Sequence, residues 1–153
     1  RLEQIERHIE ALDTEISSLI ADNAALARRH QILTSIAGVG TLTANQLIAT
    51  MPELGSLDNK QAASLAGLAP VARQSGKWKG KSFIRGGRPN VRQALYMPAL
   101  VAARFNPSLK AKYQKLVARG KPAKIAITAV MRNLIVTANA LLKADRYWQQ
   151  SIT

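Results

Sequence analysis

Pro122-Ala-Lys-Ile-Ala-Ile-Thr-Ala-Val-Met-Arg-Asn-Leu-Ile-Val-Thr-Ala-Asn-Ala-Leu-Leu-Lys143 is the stretch whose reading decides the fold. It holds the longest mostly apolar run of the chain, Ile125 to Leu142, and the choice lies between a membrane span and a helix of a folded body. Arg132 and Asn133 interrupt the run and Lys124 and Lys143 bound it, which argues against a span. Ile127, Val130, Leu134, Ala138 and Leu141 fall on one helical face, and Pro122 is placed to open the helix. Taken together with the other helical segments of the chain, this helix points to an all-α protein.

Working back from it, Asn106-Pro107 reads as an N-cap followed by a first-turn proline, starting a helix that runs to Gly120. Asn90 to Phe105 carries a helical period with a kink expected near Pro98. Residues 69–89 have no helical period and are dense in Gly, Lys and Arg, so they form a loop or a short hairpin. Asp58 and Gln61 make a capping box, and Gly67 closes the helix they start. Residues 32–51 read as helix, hairpin Ala37-Gly38-Val39-Gly40, and a second helix from near Thr41 to Pro52. In this helix-hairpin-helix pattern the glycines allow a tight turn, and N–H groups opening the second helix face outward toward a phosphate oxygen. A Gly-rich turn between packed helices has the same signature, and the basic surroundings favour the phosphate reading of Gly38, Val39 and Gly40.

At the other end, Leu2, Ile5, Ile9, Leu12, Ile16, Leu19, Asn23, Leu26, His30 and Leu33 alternate spacings of three and four. Ile at position a with mostly Leu at d favours a two-stranded coiled coil, with Asn23 as a polar a residue that penalises wrong registers. The stripe is narrow and lasts about four heptads, which favours an intermolecular seam over a helix packed on its own domain. A continuous helix here spans about 48 Å. The organisation expected is a coiled-coil dimerisation helix over residues 1–33 and a helical domain over 34–153. That domain comprises the helix-hairpin-helix at 32–51, the basic loop at 69–89 and a helical bundle at 90–145. Because the chain starts at Arg1 within the heptad pattern, it reads as part of a longer protein with chemistry upstream.

The charge pattern selects the partner. From Asn59 to Ala144 there are seventeen Lys and Arg and no Asp or Glu, within a chain of 153 residues and net charge +13. Cations without neighbouring carboxylates require an external polyanion, and nucleic acid is the expected one. Six of the nine acids lie on the heptad arm, so the arm repels DNA. An apolar fraction of 47% excludes a disordered basic tail. With no cysteine, disulfides and thiolate zinc sites are excluded, and isolated His8 and His30 give no expectation of a metal site.

Within the basic loop, Gln74-Ser75-Gly76-Lys77-Trp78-Lys79-Gly80-Lys81-Ser82-Phe83-Ile84-Arg85-Gly86-Gly87-Arg88 sets a serine-glycine pair among cations. A hydroxyl attacks a phosphodiester if cations stabilise the developing charge and a base takes its proton. Arg73, Arg85, Arg88 and Arg92 suit bidentate phosphate contact. Lys77, Lys79 and Lys81 suit the nucleic-acid backbone, and Trp78 suits stacking on an unpaired base. Ser75 as a turn residue, Trp78 as a gap filler and the cations as a solvated face explain the same residues, and on spacing alone that reading is the stronger.

The ordered series Ile36-Ala37-Gly38-Val39-Gly40, Leu47-Ile48-Ala49, Pro52-Glu53-Leu54-Gly55, Leu65-Ala66-Gly67-Leu68-Ala69-Pro70, Ser75-Gly76, Gly86-Gly87-Arg88 and Val91-Arg92 resembles the C-terminal half of bacterial insertion-sequence transposases of the DEDD type, a group related to the pilin-gene DNA invertase. The resemblance runs from about Thr34 to Trp148. It implies a RuvC-like N-terminal domain, missing from this chain, whose acidic quartet binds magnesium; no cofactor is implied for the residues present. It further implies a coiled coil joining protomers, a structured guide RNA, a DNA substrate, and a cytoplasmic, nucleoid-associated protein with no membrane partner. Ser75 takes the nucleophile role by alignment of Gly76, with Ser82 as the second candidate; Gln74 stands where related sequences often carry another hydroxyl residue. The implied reaction is strand exchange through a phosphoserine, in composite sites that this chain alone cannot complete.

Overall fold

The computed structural model describes residues 1–71, 74–75, 78–79, 83–84 and 86–149, and between 70 and 85 it describes the backbone only. Among these residues the helices are α1 (Leu2–Ala21), α2 (Ala24–Ser35), α3 (Thr41–Thr50), α4 (Asn59–Leu65), α5 (Pro89–Phe105), α6 (Pro107–Ala118) and α7 (Ala123–Ala144). Four two-residue strands, β1 (Pro70–Val71), β2 (Gln74–Ser75), β3 (Trp78–Lys79) and β4 (Phe83–Ile84), interrupt an otherwise all-α fold.

The deciding stretch is the centre of the body. α7 packs on α5, α6, α4 and α2, and Ile127, Val130, Leu134, Ala138 and Leu141 are all buried. It is the one described helix with the length and hydropathy to cross a membrane, yet ten of its residues are buried against protein. Buried Asn139 ties it to the turn after α3: its Oδ1 accepts from Gly55 N–H at 2.7 Å, and its Nδ2 donates to the Leu57 carbonyl at 2.6 Å.

Local signals set the helix ends. Asp58 Oδ1 accepts from Gln61 N–H while Gln61 Oε1 accepts from Asp58 N–H, closing the capping box of α4. Asn106 is at once the C-cap of α5 and the N-cap of α6, which lets two long helices meet at a one-residue joint. Pro98 lies inside α5, buried.

The continuous helix expected through Leu33 is broken at Asp22–Asn23. Asn23 takes φ −111° and ψ 116°, and its side chain accepts from Leu26 N–H at 3.1 Å, so it caps α2. A side chain that satisfies an orphan helix donor three residues away has a nearer partner than a second asparagine across a seam. Consequently Ile32 and Leu33 are core residues, while Leu2, Ile5, Ile9, Leu12 and Leu19 stand 53–74% exposed on α1. The division between arm and body falls at Asp22–Asn23, not at residue 33. α1 touches the body through its last turns, where Ile20 is buried and Asn45 of α3 donates to Ser17 Oγ at 3.1 Å.

Candidate nucleic-acid interface and serine hairpin

Residues 69–88 leave the body after α4 and return to it at α5. β1 pairs antiparallel with β4 (Pro70 with Ile84, Val71 with Phe83), and the sequence-nested β2 pairs with β3 (Gln74 with Lys79, Ser75 with Trp78). The basic loop is therefore a hairpin, and its inner strand pair carries Ser75. Arg73, Lys77, Lys81, Ser82 and Arg85 lie outside the described residues, and Trp78, Lys79 and Ser75 are described by backbone alone.

The base of the hairpin is pinned by backbone crossing backbone. Gly67 (φ +72°) and Gly87 (φ +69°) lie in contact: a Cβ on Gly87 would overlap the Gly67 backbone and reach within 2.8 Å of the Ser64 carbonyl. Both residues need a left-handed φ and the absent side chain. Arg88 N–H then donates to the Leu65 carbonyl at 2.8 Å, joining the exit of the hairpin to the end of α4.

Arg88 itself is occupied. Its Nη1 donates to Glu53 Oε2 and to the Thr50 carbonyl, both at 2.8 Å, and its Nη2 donates to Glu53 Oε1. The hydrogen bond from Arg88, helped by a backbone donor, holds the Glu53 carboxyl down at about 2, and the paired guanidinium is raised in turn. The sequence reading placed Arg88 on phosphate; the structure spends it on a fork that fastens the hairpin exit to the turn after α3. Arg92, one turn into α5, directs Nη1 at the carbonyls of Gly86 (3.3 Å) and Gly67 (3.4 Å), so it braces the glycine crossing. Sequence reasoning missed Glu53 as a member of this site. The signal was there: Glu53 and Asp58 are the only acids between Asn23 and Ala144.

The helix-hairpin-helix turn is also corrected in part. Val39 is buried and its N–H donates to the Ile36 carbonyl at 3.0 Å, so neither side chain nor amide is open to phosphate. Gly38 (φ +104°) is a packing glycine: a Cβ there would come within 2.9 Å of Ala102 Cβ and 3.0 Å of the Pro98 carbonyl on α5. Gly40 remains open, with nothing within 4 Å of the Cβ it lacks, at the N-cap of α3. Of the three, only Gly40 keeps the geometry expected of an anion contact.

No three His, Asp or Glu side chains come together among the described residues. The carboxylate Glu53, committed to Arg88, is not available as a ligand.

With this geometry in place, sequence comparison adds the decisive observation. Residues 30–114, from α2 through most of α6 and including the whole hairpin, match the model of the Transposase IS116/IS110/IS902 family. The chain belongs to this family. Among curated relatives it is 32% identical to the pilin gene-inverting protein of Moraxella bovis over 94% of this chain and 46% of that protein. It is 31% identical to the uncharacterized 42 kDa protein of insertion element IS900 from Mycobacterium paratuberculosis, over 98% of this chain and 39% of the relative. The uncharacterized 43.6 kDa protein of insertion element IS110 from Streptomyces coelicolor is 29% identical over 91% of this chain and 34% of its own length. The chain thus spans less than half the length of these relatives. Within the family match, Gly67, Gly86, Gly87 and Arg88 form one structural unit in this transposase-family chain, which gives the motif series a physical meaning.

Proposed function

We propose that this chain is the serine-bearing, strand-holding part of an insertion-sequence transposase or DNA recombinase of the DEDD-plus-serine type. The observation that carries the reading is the family match across a hairpin held rigidly at its base, with a serine on its inner strand pair. A nucleophile needs such a footing, because a displacement of about 1 Å costs on the order of 100-fold in rate.

In the proposed reaction Ser75 Oγ attacks a backbone phosphorus of DNA and loses its proton to a base. The bond from phosphorus to one nucleotide oxygen breaks, that oxygen takes up a proton, and a phosphoserine joins protein to strand. Attack by the free hydroxyl of an exchanged strand reverses the sequence and releases Ser75. Magnesium, held by acidic residues elsewhere in the full-length protein, would add charge stabilisation. The cations of the hairpin, with Gly40, hold the strand. A structured guide RNA and cytoplasmic action on the chromosome belong to the same reading, as does self-association through the exposed heptad face of α1.

The test is Ser75→Ala in the full-length protein. Recombination and any covalent protein–DNA adduct vanish while DNA binding persists. An adduct that survives the substitution moves the nucleophile, with Ser82→Ala next; binding without any adduct in the unsubstituted protein leaves a non-catalytic DNA-binding module.

A further inference from the structure

A second basic surface lies outside the hairpin. The four residues Arg119–Pro122 fold α7 back along α6, with Gly120 at φ +83° and Lys121 N–H returning to the Leu116 carbonyl at 3.1 Å. Lys112, Lys115 and Arg119, with the second and third placed three and seven residues after the first, form one row descending α6 toward this turn. Lys124 and Arg132, two turns apart, form a row ascending α7 away from it. α6 and α7 pack against each other in opposite senses, so the two rows lie on adjoining helices, with Lys112 near enough to Arg132 to feel its charge. Burial, and next the charge of Arg132, push the Lys112 ammonium below its ordinary pKa.

Like charges set beside each other on rigid helices destabilise the folded chain unless something neutralises them. Nothing within the segment does: no carboxylate occurs from Asn59 to Ala144, and the ion pairs among the described residues are Arg28–Asp145 and Arg88–Glu53. The rows extend over about 12 Å at 1.5 Å per residue. Along that length a DNA duplex presents about seven phosphate charges and one strand alone about three or four. Five cations exceed the about three or four phosphates that one strand presents along this length, and their two rows suit the two strands of a duplex.

We infer that the α6–α7 hairpin is a second nucleic-acid surface, which grips the phosphate backbone of duplex DNA independently of the Ser75 hairpin. It positions a duplex without reading its sequence, since Lys and Arg on phosphate carry no base information. The inference does not rest on Ser75 being a nucleophile; it needs only the charge and the fold.

The test measures binding of the 153-residue chain to a 30-base-pair duplex of arbitrary sequence by fluorescence anisotropy across a salt series. The parent is compared with Lys112→Gln/Lys115→Gln/Arg119→Gln and, separately, with Lys77→Gln/Lys79→Gln/Lys81→Gln in the Ser75 hairpin. Removing three phosphate contacts on α6 lowers the slope of log affinity against log salt by about 2.7, so from 50 to 200 mM salt the parent loses roughly 40-fold more affinity than the variant. Relief of the repulsion leaves its melting temperature equal or higher, which separates lost contacts from lost fold. A folded α6 variant with the parental slope overturns the inference. So does a slope change seen on duplex RNA but not on DNA. So does a variant whose only defect, by sedimentation, is weaker self-association, because the acidic α1 of another copy is then the occupant. Ser75→Ala, read by adduct formation, leaves these slopes unchanged, so either reading can fail without the other.

Discussion

Replacing Gly87 by alanine tests whether the serine hairpin is held by a backbone crossing. Gly87 sits at φ +69°, and a side chain there overlaps the backbone of Gly67 and crowds the Ser64 carbonyl. The left-handed conformation costs an alanine about 1–2 kcal/mol, and forcing the crossing apart adds about 1–3 kcal/mol, as overpacking does elsewhere. Gly86 supplies the control: its φ is +77°, but nothing lies within 4 Å of the Cβ position. Gly86→Ala therefore carries the backbone cost and the same change in unfolded-state entropy, without the overlap. The difference between the two variants isolates the crossing at about 1–3 kcal/mol, which for a chain of this size is about 2–12 °C in melting temperature. Thermal unfolding followed by circular dichroism measures it. Equal melting temperatures for Gly86→Ala and Gly87→Ala refute the crossing, and with it the account of how the hairpin is anchored.

Three further expectations follow from named contacts. The folded pKa of Glu53 lies below its unfolded value, so the Arg88 pair contributes stability above about pH 4.5 and loses it as pH falls through about 2; Glu53→Gln removes that component, and the melting temperatures of parent and variant converge between those pH values, whereas a constant gap argues against the pair. Asn23→Ala, at the cap of α2, costs about 1 kcal/mol and a few degrees of melting temperature; no loss returns Asn23 to a seam position in an unbroken helix. Ile9→Asp/Leu12→Asp on the exposed α1 stripe reduces self-association in sedimentation without lowering the melting temperature of the body, and an unchanged mass removes α1 as the interface.

What the sequence determined by itself is nearly everything governed by groups within a turn or two of chain. The capping box at Asp58, the Asn106-Pro107 restart, the glycine stops at Gly67 and Gly120 and the buried face of the Pro122 helix are all as read, because a cap or a helical period is satisfied locally. The kinship with insertion-sequence transposases was equally legible, since ordered motifs survive in the linear chain. The tertiary structure alone decided which of several competing partners each polar or small group takes. Asn23 is the local exception, since its cap to Leu26 lies within one turn while the heptad spacing reads it as a seam position. Arg88 had phosphate and Glu53 to choose from, and the fold brings Glu53, thirty-five residues distant, within reach. Gly38 and Gly40 look alike in sequence, but only the first meets another helix. Nor does any spacing announce that Lys112 and Arg132 share a surface. That depends on the angle at which the turn after α6 lays one helix on the next, a property of packing across the body that no local window of residues contains.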